Sequence, residues 1–85
     1  MKVLVIGSWH LGSVVGTCVA DSGNEVHLWD LSEKVAEKWK RGIPPIHEPG
    51  LEDMVKRYWG KTLFWSDEMK SVSKSADWIF LGLLS

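Results

Sequence analysis

Val5-Ile6-Gly7-Ser8-Trp9-His10-Leu11-Gly12 is the stretch on which the fold turns. Ahead of it, Lys2 to Ile6 is a short run of aliphatic and β-branched residues that stops at Gly7, the pattern of a strand buried on both faces. Behind it, Leu11 to Asp21 is small and apolar, with Gly12 and Gly16 one turn apart, and reads as a helix packed closely on that strand. Each glycine has a mechanical task. Gly7 allows the sharp turn out of the strand, and Gly12 allows helix and strand to approach. A helix entered in this way presents free N–H groups and a positive dipole end, the seat that a diphosphate needs.

Working outward, Ser22-Gly23-Asn24 ends the helix, with Gly23 placed for a left-handed cap. Glu25 to Trp29 is a second strand that closes on Asp30, 18 positions after Gly12. A carboxylate there matches the acid that accepts hydrogen bonds from adenosine ribose hydroxyls. It also repels a 2′-phosphate, and no Arg follows it directly, so the expected cofactor is NAD rather than NADP. Trp9 departs from the pattern. The fingerprint has glycine at this place because the cofactor's pyrophosphate passes against the backbone. An indole there is expected to weaken NAD severely, by several kcal/mol on the order of the charge-assisted hydrogen bonds lost if the phosphates are displaced.

Ser32 is a good N-cap, with Glu33 in the first turn and Val35, Ala36 and Trp39 at helical spacing. Gly42 stops that helix. Ile43 to Pro49 is a Pro-rich loop, and Gly50 to Trp59 is a further helix with Leu51, Met54, Val55 and Tyr58 on one face. Thr62 to Trp65 is a third strand, Asp67 to Ser75 a polar helix with Met69 and Val72 inward, and Asp77 to Leu84 a strongly apolar fourth strand. Strands alternating with helices predict a parallel sheet with right-handed crossovers. The expected fold is α/β: a partial, Rossmann-like three-layer sheet with strand order 3-2-1-4. Residues 1–85 then form one unit, the amino-terminal half of a dinucleotide-binding domain, with no second domain.

Composition narrows the function classes. The 85 residues are 45% hydrophobic and 25% charged, the balance of an ordinary soluble globular chain. A formal net charge of −1 offers no electrostatic case for nucleic acid or an anionic membrane as a partner. No uninterrupted apolar stretch is long enough to span a bilayer. The apolar run to Ala20 imitates a secretory signal, but Gly7 to His10 and Gly12-Ser13 interrupt it. The single cysteine, Cys18, fits a reducing, cytoplasmic setting and is expected to be a small buried side chain. Six tryptophans is several times ordinary usage, and nothing in the pattern accounts for most of them.

Ile43-Pro44-Pro45-Ile46-His47-Glu48-Pro49-Gly50-Leu51 is the most specific segment. It resembles the loop of the UDP-glucose/GDP-mannose dehydrogenase family. The likeness runs the length of the chain: the opening strand and turn, Gly23-Asn24-Glu25-Val26, Asp30, Glu33-Lys34-Val35, the loop, and Ala76-Asp77. What it implies is a large cytosolic NAD-dependent enzyme. Such an enzyme oxidises the C6 alcohol of a nucleotide sugar to a carboxylate in two steps, through a cysteine thiohemiacetal. The family's catalytic Cys, Lys and Asp lie further along than these residues, so no catalytic residue is expected here and Cys18 is not the catalytic one. The cofactor contacts implied are Gly7, Trp9, His10, Leu11, Gly12, Asp30 and Lys34, with Ser85 where the family has Thr near the nicotinamide. Leu84 replaces the family's Pro or Gly.

Simpler roles compete with these. Asp30 could merely end a strand, Lys34 be a solvated helix charge, His10 a packing or solvent contact, and Glu48 a cap of the following helix or a partner for loop backbone. His27 and His47 read as structural. No group has metal-ligand spacing. The leading expectation is the NAD-binding part of a nucleotide-sugar 6-dehydrogenase, inactive alone, with the nucleotide sugar a partner only of a full-length enzyme. The alternative is a stand-alone binding or interaction module whose cofactor site Trp9 impairs. A Rossmann module for another adenosyl ligand, such as S-adenosylmethionine, is disfavoured by the loop. In either leading case the apolar fourth strand is expected to lead to self-association or to need the other half of the domain to cover it.

Overall fold

Four parallel strands and four helices follow one another in the order β1 (Lys2–Ile6), α1 (His10–Asp21), β2 (Glu25–Trp29), α2 (Glu33–Lys40), α3 (Leu51–Tyr58), β3 (Leu63–Trp65), α4 (Met69–Ser75) and β4 (Trp78–Leu81). The structure, a computed structural model, describes residues 1–82. The sheet order is β3-β2-β1-β4, as expected. Strand β1 pairs with β2 from Lys2↔Glu25 to Ile6↔Trp29 and with β4 from Val3↔Trp78 to Ile6↔Leu81. Its central place explains its aliphatic run: Val3, Leu4 and Val5 are all buried. The chain moves from β1 through β2 to β3 on one side, then doubles back to β4. Right-handed crossovers therefore place α1, α2 and α3 on one face and α4 on the other, giving three layers.

The core lies between the sheet and the first three helices. Val5, Val26, Leu28 and Leu63 meet Val35, Trp39, Leu51 and Val55 there. Helix α1 turns Gly12, Ser13, Gly16, Thr17 and Ala20 inward. A Cβ on Gly16 would lie 2.9 Å from Leu28 Cδ2, so the glycine sets how near the helix can lie. Cys18 is on the other side of the same helix and is exposed, which corrects the expectation of a buried thiol. The reason is angular: one residue past Thr17 is about 100° around the helix, away from the sheet.

The tryptophans divide by position. Trp39 is fully buried and stacks on Trp59 with ring centroids 5.7 Å apart. Trp65 donates its indole N–H to Asp67 Oδ1 at 2.9 Å. Trp9 and Trp78 are exposed. Between helices, the Tyr58 hydroxyl donates to Asp21 Oδ1, and that carboxylate holds the phenol's pKa above its ordinary value. On β2, the His27 imidazole contacts Glu25 at 2.6 Å and stacks on Phe64, the structural role expected of it; the contact holds the Glu25 carboxyl below its usual pKa.

Strand β4 is the sheet edge on the β1 side. Trp78, Ile79 and Leu81 are 63%, 47% and 60% exposed, an apolar row on a strand paired with β1 alone among the described residues. The expected fourth strand ran to Leu84. Its described part is Trp78–Leu81, and Leu84 and Ser85 lie outside the described residues. Among those residues no helix is long and apolar enough to cross a membrane, and no cluster of His, Cys, Asp and Glu could hold a metal.

Candidate dinucleotide site

Where β1 ends, Gly7 takes φ 93°, a left-handed conformation in which a side chain is strained. Its N–H donates to Trp29 O at 2.9 Å, so the turn stays anchored to β2 as it leaves the sheet. A Cβ on Gly12 would stand 1.8 Å from the Gly7 carbonyl oxygen, and one on Gly82 would stand 2.4 Å from the same atom. Turn, helix start and the end of β4 therefore meet at backbone-to-backbone distance, which only glycine permits. The Gly82 N–H completes the junction by donating to Ile6 O at 2.8 Å.

Ser8 is the buried hub of the turn. Its N–H donates to Asp30 Oδ2 at 2.8 Å and its hydroxyl to Trp29 O at 3.0 Å. Its carbonyl accepts from the Ser13 hydroxyl at 2.8 Å and the Trp39 indole N–H at 2.7 Å. Asp30 is thus more than the end of a strand. One carboxylate oxygen takes the Ser8 amide and the other the Ser32 amide, at 2.8 Å each. A carboxylate has about four acceptor sites, so two remain for hydroxyls of a ligand.

The N-terminus of α1 carries neither a side-chain cap nor an acid in its first turn. Its leading amides are left for an acceptor from outside the helix. In front of them is a cavity of about 540 Å³ lined by Gly7, Trp9, Asp30, Ser32, Lys34, Val35, Lys38, Pro45 and Gly82. The wall mixes apolar surface, one carboxylate and two ammonium groups. That suits a purine, a ribose and a phosphate in sequence.

Of the residues singled out from sequence, Gly7, Trp9, Asp30 and Lys34 come together on this wall. Gly12 stands behind it, against Gly7. Trp9 is 54% exposed at the cavity rim, so its indole narrows the approach and leaves a volume behind it. His10 and Leu11 are exposed on the first turn of α1 and do not line the cavity. His10 Nε2 instead meets Glu48 Oε1 at 3.0 Å, bringing the glycine turn and the Pro-rich loop together. The Glu48 side chain therefore does not cap α3, one of the two simpler roles expected of it; Gly50 is the N-cap at φ 83° with no side-chain cap, and the Glu48 carbonyl accepts from the Leu51 N–H. His47, expected to pack in the loop, is exposed. Sequence reasoning missed Ser8, Ser13, Ser32, Lys38 and Gly82. Small polar residues flanking the turn were the signal for the serines; Lys38, one helical turn after Lys34, was the signal for a second cation on that wall.

A Gly-rich turn joined to the carboxylate that ends β2, over a cavity of this make-up, has a counterpart among known proteins. The model of the UDP-glucose/GDP-mannose dehydrogenase family, NAD binding domain, matches residues 1–83. The chain belongs to this family. The UDP-glucose 6-dehydrogenase TuaD of Bacillus subtilis is 36% identical over 83 residues, a match covering 96% of this chain and 18% of that protein. The UDP-glucose 6-dehydrogenase of Rhizobium meliloti is 33% identical, covering 98% and 19% respectively. Among solved structures, a ternary complex of the GDP-mannose dehydrogenase of Pseudomonas aeruginosa superposes with a TM-score of 0.85 at 27% identity, covering 98% of this chain and 19% of that one. A UDP-glucose dehydrogenase from the archaeon Pyrobaculum islandicum gives 0.82 at 26%, covering 94% and 19%. The chain therefore spans less than a fifth of these relatives' length. The matched part is the family's NAD-binding domain, a Rossmann-type α/β fold, and NAD is the cofactor that the family implies.

Proposed function

We propose that this chain is the adenosine- and diphosphate-binding half of the NAD site of a nucleotide-sugar 6-dehydrogenase, and that it has no catalysis of its own. The observation that carries the reading is the Asp30 carboxylate, tied to the Ser8 amide and opening onto the same cavity as Gly7. Asp30 is placed to accept the adenosine ribose hydroxyls, Lys34 and Lys38 flank it, and the first-turn amides of α1 face the diphosphate. Gly7 and Gly12 keep side chains out of its path. His10 and Leu11 border the approach, and Ser85 is the family-implied contact nearest the nicotinamide. Bound NAD supplies a hydride acceptor; in the relatives' reaction class the donor is the C6 carbon of a UDP- or GDP-sugar, oxidised in two steps to the carboxylate. Residues 1–85 act as one unit of that larger enzyme, in the cytoplasm.

Isothermal titration with NAD tests this directly. Asp30→Ala is expected to weaken binding about 10- to 100-fold, the usual worth of hydrogen bonds to a charged group. An unchanged dissociation constant in that variant would remove Asp30 from the site and the reading with it. A second reading is favoured by the position of Trp9 on the cavity wall: a binding or interaction module in which the indole has cost the cofactor most of its affinity. Both readings predict weak NAD binding by the parent chain. Both also predict its recovery in Trp9→Gly; they part at the reading frame after Ser85, where a continuation carrying a downstream Cys motif supports the enzyme and a stop codon supports the module.

A further inference from the structure

One doubly bonded acceptor of the site, the Ser8 carbonyl oxygen, is turned to the interior, away from any ligand. The Ser8 carbonyl is buried and accepts from two side chains, Ser13 Oγ at 2.8 Å and Trp39 Nε1 at 2.7 Å. A peptide is planar and its N–H points opposite to its C=O. Drawing the Ser8 carbonyl inward therefore turns the N–H of Trp9, the other half of the same peptide, outward to the open side of the turn. That N–H has no acceptor among the described residues. The indole that does the drawing is itself immobilised. Trp39 has no exposed surface, and its ring is stacked on Trp59. Gly42 closes over Trp59, where a Cβ would come within 2.8 Å of the indole nitrogen.

We infer that Trp39 is a positioning residue for the diphosphate of an adenosine-containing ligand: its buried indole N–H sets the orientation of the Ser8–Trp9 peptide and so aims the Trp9 amide at the phosphate oxygens. Trp39 touches no ligand. It acts through Ser8, and Ser13 is its partner in the same task. The inference rests on the NAD-site reading above, and the two can fail separately.

The test compares ADP with adenosine, because only ADP uses the aimed amide. The full chain, labelled with ¹⁵N, is titrated with each ligand by two-dimensional NMR, and amide exchange is read in the ligand-free state. Trp39→Phe keeps an aromatic ring for the stack and deletes the N–H. The dissociation constant for ADP is expected to rise about tenfold, as for the loss of one buried donor, while that for adenosine stays within about twofold. Exchange of the amides of residues 9–12 is expected to quicken while that of residues 2–6 and 25–29 does not. Ser13→Ala removes the other donor to the same carbonyl and should show the same split if Trp39→Phe fails to fold. Equal weakening of both ligands would mean a merely structural tryptophan and would overturn the inference. So would unchanged ADP binding with unchanged exchange at the turn, even with the NAD site intact. A parent chain that binds adenosine and ADP equally would overturn the diphosphate reading of the turn, and this assignment falls with it.

Discussion

Gly12 shows how little room the site leaves. Alanine there would force a methyl group to within 1.8 Å of the Gly7 carbonyl oxygen, which is backbone and cannot rotate away. Gly12→Ala is expected to cost ~3 kcal/mol or more, at the upper end of overpacking penalties, read as a lowered midpoint in urea. Trp9 is the opposite case, a large side chain where the fingerprint has none. Trp9→Gly should improve NAD affinity about tenfold or more by returning the diphosphate to the backbone, with calorimetry as the measure. Glycine is also an acceptable residue at that helix start, so the fold should not suffer. Both residues were legible in the sequence because their effect is steric and local. The bond from Trp39 to Ser8 was not legible. Helical spacing assigns Trp39 to the core, but the atom its N–H finds lies 31 positions away and depends on how α2 docks.

Among the elements, β1, α1 and β2 lie within a residue of where the pattern puts them, because an aliphatic run, a glycine and a small-residue helix punctuate one another. Helix α4 begins at Met69 rather than at Asp67, and has no side-chain cap to mark its start. Glu48 and Cys18 were misread for a common reason: each depends on which way a side chain faces after neighbouring elements pack. The contact between α1 and α3 adds a property that single-element reading cannot supply. Tyr58 on α3 donates to Asp21 at the end of α1, and its pKa is raised. A raised pKa means that the protonated phenol is favoured by folding, so the contribution is full below the ordinary value near 10 and is lost as pH rises through the folded value. Stability of the parent chain should therefore fall more steeply than that of Tyr58→Phe on going from pH 9 to pH 11, as followed by urea denaturation.

At the scale of the whole molecule, β3 and β4 are the two edge strands of the described sheet, and the apolar exposure lies along β4. Trp78, Ile79 and Leu81 form an exposed apolar row along β4. We expect the chain to self-associate through this edge, visible as concentration-dependent species in sedimentation velocity, and Leu81→Lys to shift it toward monomer. A single sharp monomer boundary at high concentration would count against that. The same topology bears on biosynthesis. β1 sits between a neighbour that follows it closely, β2, and one that arrives about 50 residues later, β4. At ribosomal rates of roughly 5–20 residues per second, one flank of the earliest strand stays bare for several seconds while translation continues. A nascent polypeptide with that wiring is a natural client for a holdase, and slowing elongation between codons 30 and 77 should lengthen its stay on the chaperone.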